Sequence, residues 1–195
     1  MAYSTIVSNK PADPLEPLAY RDIDTPLGEL RLVASPKGLR GAWFTDQEML
    51  PSPEGWTRTD DANPILEQAR RELDDWFAGK RRGFDVVLDP IGTTFQHKVW
   101  HALCALEFGK LASYGDLART VGRPKGAQAV GGAVGRNPII IIIPCHRVIG
   151  ADTSLTGFGG GLPRKQALLA HEGNRYVSRN PRARRVCDGQ AELPW

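Results

Sequence analysis

Residues 144–148 read Pro-Cys-His-Arg-Val and follow a run of five isoleucines, 139–143. Cysteine is a nucleophile only as its thiolate, so its ordinary pKa of about 8.5 must fall or a base must take the proton. His146 is the adjacent base, although neighbours on an extended chain point to opposite faces. A turn after Pro144, with one bridging water, would let the two groups communicate. A catalytic histidine needs a third group to orient it. Glu172, in Ala170-His171-Glu172-Gly173, is the carboxylate chosen here, because an acid at a helix C-terminus opposes the helix dipole and demands a partner. His171 beside it reads as a surface residue. From these residues alone two readings stand: an activated nucleophile, or a buried structural cysteine next to a histidine.

The elements that must position these groups are legible in outline. Residues 18–44 alternate apolar and polar positions around Pro26-Leu27-Gly28 and Pro36-Lys37-Gly38, the pattern of three short antiparallel strands. Residues 49–56 read as a loop. Asn63-Pro64 supplies a helix cap with proline in the first turn, and Ile65, Leu66, Ala69, Leu73, Trp76 and Phe77 recur at helical spacing up to Gly79. Residues 84–89 read as a further strand. Composition changes at 89–94, which divides the chain into an N-terminal α/β half, 1–91, and a second unit, 92–174, with a basic tail at 175–195. Thr93 and Gln96 form a capping box for a helix running towards Gly109. Short helices fit 114–122 and 125–134, and the tight turn at Gly122-Arg123-Pro124 makes them a helix-turn-helix pattern. The second of these is almost bare: Gly126, Ala127, Ala129, Gly131, Gly132 and Ala133 either let a partner approach its backbone or pack tightly in the core. The isoleucine run reads as a buried strand, and a last helix opens at Pro163 and ends at Gly173.

Composition bounds the setting. The three cysteines, Cys104, Cys145 and Cys187, form neither a C-x-x-C pair nor a zinc-ligand cluster, so no metal and no cofactor is expected, and Cys104 reads as core. No apolar stretch resembles a signal peptide or a membrane span, which points to a soluble cytoplasmic protein. The net charge of +3 is uneven: residues 1–91 carry 11 basic and 16 acidic groups, whereas 92–173 carry 9 and 4 and 174–195 carry 5 and 2. That asymmetry fits either a polyanion partner for the second half or an ordinary variation in surface charge.

Taken together, the Pro-Cys-His-Arg-Val motif, Gly135-Arg136-Asn137-Pro138 before it, the bare helix-turn-helix upstream, and Gly157-Phe158-Gly159-Gly160-Gly161 with His171-Glu172-Gly173 downstream resemble the O6-alkylguanine-DNA alkyltransferase family of direct-reversal DNA repair proteins. The resemblance is close from Thr94 to Gly173 and weaker over the first ninety residues, where it rests on the strand and helix order and on Thr25-Pro26-Leu27-Gly28-Glu29-Leu30. It implies an α+β fold: a small N-terminal antiparallel sheet with a helix, ribonuclease H-like, then a mainly helical domain with a winged-helix-like helix-turn-helix. It implies a monomer that binds duplex DNA through the minor groove, flips out an O6-alkylguanine, and accepts the alkyl group on Cys145 in one turnover, O4-alkylthymine being a second candidate substrate. His146 and Glu172 would activate the thiol, Tyr114 would hydrogen-bond the leaving base, and Asn137 would tie the recognition helix to the cysteine segment. The carbonyls of Cys145 and Val148 would read the exocyclic amine.

The family's arginine that fills the gap left by the flipped base is here Gln128, which predicts weaker flipping. Ala127, Ala129 and Gly131 would face the groove, and Arg123, Lys125 and Arg136 with the tail would contact phosphates. Phe158 and Gly159 leave the pocket without a side-chain hydroxyl, and Ile140 falls where relatives set its width, suggesting methyl over benzyl. A DNA-binding damage sensor and a cysteine hydrolase are the competing readings; the hydrolase leaves the helix-turn-helix unexplained.

Overall fold

The computed structural model describes residue 6 and residues 16–48, 50–59 and 63–176. Most of the proline-rich start, and the basic tail apart from Arg175 and Tyr176, lie outside the described residues, as does Cys187. Three strands, β1 (Ala19–Ile23), β2 (Leu30–Ser35) and β3 (Gly38–Phe44), form the expected antiparallel meander. A fourth, β4 (Thr57–Arg58), directly follows the stretch read as loop and pairs parallel with β1, giving the order β3-β2-β1-β4. Helix α1 (Pro64–Phe77) starts where the sequence places it, Asn63 accepting from the N–H groups of Ile65 and Leu66 at 3.0 and 3.1 Å. Such a cap stabilises by about 1 kcal/mol. Its apolar stripe of Leu66, Ala69, Leu73 and Trp76 is buried.

The strand expected at 84–89 is not there. Only Leu88 makes bridges, to Ile6 and Leu39. The cause is a side chain: Glu72 of α1 accepts from the N–H groups of Asp85 and Val86 at 2.8 and 3.2 Å, taking the donors that a neighbouring strand would use.

The second half begins where the chain crosses Trp100. A Cβ on Gly92 would stand 2.5 Å from that indole, so only glycine fits the crossing. Helix α2 (Thr94–Cys104) has both bonds of the Thr93/Gln96 capping box and ends a turn earlier than expected, capped by Ala105. The chain leaves the helix there, and the Leu106 carbonyl accepts from Arg147 Nη1 at 2.6 Å. Short strands β5 (Ala112–Ser113) and β6 (Val148–Ile149) pair in parallel. Between them come α3 (Tyr114–Thr120) and α4 (Ala127–Gly135), the helix-turn-helix, and after β6 the last helix, α5 (Leu162–His171). No helix of the described residues is long and apolar enough to cross a membrane.

The isoleucine run is buried, as expected, but it is not a strand. Its first residues clip onto the edge of β3: Ala42 N–H donates to Pro138 O at 2.9 Å and Ile140 N–H to Ala42 O at 3.1 Å. It then coils on itself, Ile142 N–H bonding Ile140 O and Ile143 N–H bonding Ile139 O, both at 2.9 Å. Asn137 staples the two ends, its Oδ1 accepting from Ile139 N–H at 3.0 Å and its Nδ2 donating to Ile143 O at 2.8 Å. Ile141 thereby takes a φ of 70°, a left-handed conformation that a β-branched residue adopts only under strain.

Candidate active site

The coiled run delivers Cys145 to the start of a three-residue 3-10 turn, Cys145–Arg147. The turn supplies what the linear sequence left open, since it breaks the alternation that would have put Cys145 and His146 on opposite faces. Cys145 is buried, with Sγ receiving a hydrogen bond from Asn137 Nδ2 at 3.0 Å. Burial pushes its pKa up, opposed by the Asn137 bond and by the positive charge of Lys165, so the resting group is a thiol.

His146 is fully buried, and its Nε2 lies 3.0 Å from Glu172 Oε1. Burial lowers its pKa, and the attraction of Glu172 only partly offsets this, which leaves a neutral imidazole. A carboxylate can only accept, so Nε2 carries the proton and Nδ1 is left with a lone pair. Among the described residues Nδ1 meets no hydrogen-bonding partner. The result is a base with its accepting atom unused.

Glu172 has the partner that its position at the C-terminal cap of α5 demanded, and more than one. Besides His146 it accepts from Gly109 N–H at 3.2 Å and from Arg147 through Nε at 3.0 and 2.9 Å and Nη2 at 2.7 Å. Burial alone would raise its pKa; the charges and hydrogen bonds of His146 and Arg147 outweigh that and hold it at about 2. Arg147 is therefore a member of the site that the sequence reading passed over, although a guanidinium next to the histidine, with an acid in need of a partner later in the chain, was a usable signal. His171, read as a surface residue, is half-buried and bonds the Trp76 carbonyl through Nε2 at 2.9 Å.

A second unforeseen member is Lys165. It is fully buried on α5, donating to Val148 O at 2.5 Å and Thr156 O at 2.7 Å. Burial lowers its pKa to about 8 against the pull of Cys145. Nothing in the sequence distinguishes it from an ordinary exposed helix lysine. Its bond occupies the Val148 carbonyl expected to read an exocyclic amine, while the Cys145 carbonyl accepts from Val148 N–H.

Cys145 opens into a cavity of about 250 Å³ lined also by Tyr114, Gly131, Val134, Gly135, Gly157, Phe158 and Gly159. Tyr114, Phe158 and Gly159 were expected there; Val148 and Ile140 are buried outside this lining, so the wall next to the thiol is set by glycines rather than by Ile140. A Cβ on Gly135, Gly157 or Gly159 would meet nothing within 4 Å. The Tyr114 hydroxyl accepts from Thr156 Oγ1 at 3.0 Å, which couples it to the loop anchored by Lys165.

Helix α4 turns Val130, Ala133 and Val134 inwards, and the Ala133 carbonyl accepts from the Trp100 indole at 3.0 Å. Gln128, Ala129 and Arg136 are exposed and Ala127 is half-buried, so tight packing accounts for the small residues on the inner face and leaves the outer face open. Gly131 sits where a Cβ would be 3.6 Å from the Tyr114 ring. Arg123 and Lys125 are exposed in the turn, the Arg123 guanidinium 4.7 Å above the Phe95 ring. Arg136 Nη1 donates to Gly132 O at 3.2 Å. Among the described residues no cluster of His, Cys, Asp and Glu could hold a metal ion. Cys104, half-buried and with its pKa pushed up to about 12 by burial, has no part in the site.

Comparison with known proteins gives a consistent result. The ribonuclease-like domain of 6-O-methylguanine DNA methyltransferase matches residues 18–90, and its DNA binding domain matches residues 94–174. A methylated-DNA--protein-cysteine methyltransferase of Mycolicibacterium paratuberculosis is 46% identical over 156 residues, 80% of this chain and 92% of the relative. One of Haemophilus influenzae is 39% identical over 163 residues, 83% of this chain and 90% of the relative. Among solved structures, Mycobacterium tuberculosis OGT in complex with DNA superposes with a TM-score of 0.75 at 46% identity, covering 80% of this chain and 93% of that one.

Proposed function

The chain belongs to the 6-O-methylguanine DNA methyltransferase family, and on that premise we propose that it repairs O6-alkylguanine in duplex DNA by moving the alkyl group irreversibly onto Cys145. The observation that carries this reading is a buried thiol lining a glycine-rich cavity and followed in the chain by a buried neutral histidine held by a carboxylate.

The helix-turn-helix docks on the minor groove with Ala127, Ala129 and Gly131 close to the sugars, while Arg123, Lys125 and Arg136 contact phosphates. Gln128 enters the stack where the damaged guanine leaves it, and the guanine swings into the cavity. The thiol proton of Cys145 passes through a water to His146 Nδ1. Glu172 and Arg147 keep the ring in place as it becomes imidazolium. The sulfur attacks the alkyl carbon, an S–C bond forms, the C–O6 bond breaks, and the electron pair stays on guanine. The Tyr114 hydroxyl stabilises the departing base, which is finally reprotonated. The thioether has no good leaving group, so each molecule acts once. Asn137 positions the sulfur, Phe158 and Gly159 flank the base, and O4-alkylthymine is a further substrate of the same chemistry. No metal or cofactor takes part. The protein acts as a cytoplasmic monomer, in which residues 1–91 support the transfer domain at 92–174 and the tail at 175–195 adds positive charge.

Intact-mass spectrometry after incubation with excess duplex containing O6-methylguanine tests this. One methyl per chain, mapped to Cys145 and absent from Cys145→Ala, is expected. Unmodified protein bound to methylated DNA would identify a damage sensor instead, and catalytic loss of methyl without protein modification would refute the mechanism.

A further inference from the structure

The base of this site is not housed by the transfer domain alone. Trp76, fully buried near the end of α1 in the N-terminal half, meets the His146 ring at a centroid distance of 6.4 Å and an interplanar angle of 69°. That is edge-to-face contact, within the favourable range for aromatic pairs. The same indole lies 4.3 Å from the His171 ring, and its backbone carbonyl receives the His171 Nε2 bond at 2.9 Å. His171 immediately precedes Glu172, the residue that holds His146. One side chain of the first half thus touches the base directly and reaches its carboxylate through one residue. Phe77, Phe84 and Phe108 surround the indole at 5.0 to 6.2 Å. The Trp76 Nε1 atom has no hydrogen-bond partner among the described residues, so the indole is held as an apolar wall.

We propose that Trp76 is a positioning residue for the alkyl transfer: from the N-terminal half it packs against His146 and ties His171, keeping the base dry and aligned with Glu172. This rests on the transfer chemistry proposed above. The groups that set the charge of His146 are Glu172, bonded to its Nε2, and Arg147 and Lys165 through their fields, whereas Trp76 contributes only apolar surface. Glu172 draws a proton onto the imidazole, and dryness resists it. Opening the wall to water weakens that resistance, so the base becomes protonated at a higher pH and cannot accept the thiol proton.

The test is the single-turnover rate of methyl transfer to Cys145, followed by intact mass between pH 5 and 9. The variants are Trp76→Met, which fills space without a ring; Trp76→Phe, which keeps one; and His171→Ala, which cuts the tie at a half-buried position without opening the core. Leu66→Ala, also in α1, serves as a control for general destabilisation. In Trp76→Met the acid limb should move up by half a pH unit or more, a loss of about threefold at pH values on the limb, with the rate above pH 8 within about twofold of wild type. His171→Ala should shift it in the same direction by less, and Trp76→Phe should restore the wild-type profile. An unmoved limb in both Trp76→Met and His171→Ala, or an equal shift in Leu66→Ala, overturns the proposal. Failure of the wild-type chain to gain a methyl would overturn the transfer reading itself, a separate outcome.

Discussion

Glu172→Gln probes the centre of the site most directly. In the wild type the carboxylate collects four N–H groups, from Gly109, His146 and two positions of Arg147, all within 3.2 Å. The amide keeps the shape but loses the charge and leaves one acceptor oxygen in place of two, so Arg147, only 5% exposed, becomes a buried cation without its counter-ion. Removing one partner of a buried pair costs about 3–5 kcal/mol. At roughly 2–4 °C per kcal/mol for a chain of this size, the melting temperature should fall by roughly 6–20 °C. The transfer rate should fall by about 10² to 10⁴, the usual contribution of a positioned base. Arg147→Met separates the two roles. It leaves Glu172 with His146 as its one charge partner, which favours the imidazolium, so its activity should be depressed at neutral pH and recover as the pH rises; Glu172→Gln should not recover. Thermal denaturation and single-turnover assays at several pH values read both effects. A Glu172→Gln protein melting within about 2 °C of wild type, with a rate within threefold, would refute the reasoning.

Gln128→Arg should speed repair of duplex DNA while leaving the reaction with a single-stranded oligonucleotide or free base nearly unchanged, because the residue acts on flipping; equal rates on duplex would remove it from that role. Gly157→Val should slow transfer of a benzyl group more than of a methyl group, since the side chain would project into the open cavity; parallel kinetics with both adducts would show that this wall does not limit the substrate. Lys165 has a folded pKa of about 8 against 10.5 for the ordinary group. Between those values the unfolded chain holds more protons than the folded one, so this residue makes stability rise with pH from about 8 to 10.5, by about 3 kcal/mol over the full window. Urea denaturation at both ends should show the rise in wild type and its loss in Lys165→Met; a persisting rise would assign it to other groups.

The sequence made legible those elements whose signals are local. Asn63-Pro64 and the Thr93/Gln96 box start their helices where expected, and the pairing of His146 with Glu172 expected from the sequence is present at 3.0 Å. What it hid depends on groups far away in the chain. Five isoleucines read as a strand by every local rule, yet Asn137 bonds both ends of the run and β3 takes its first residues, so it coils. Residues 84–89 lost their strand to Glu72, a side chain that binds backbone in place of a neighbouring strand. Lys165 was invisible, and Arg147 was passed over, for the opposite reason: charged residues are read as exposed, and only the completed fold shows the acceptors that make their burial tolerable.

The clip between β3 and the isoleucine run also bears on when the protein becomes reactive during synthesis. Ala42 and Pro138 come from opposite halves of the chain, and contacts that close so long a loop must meet its entropy before they return any stabilisation. They form late. Until they do, the Asn137 bonds to Ile139 and Ile143 act alone on the left-handed turn at Ile141, and the edge of β3 does not yet brace the segment that carries Cys145. A half-folded chain therefore presents Cys145 on a segment held only by its own local bonds, and docking of the two halves completes the frame around the thiol.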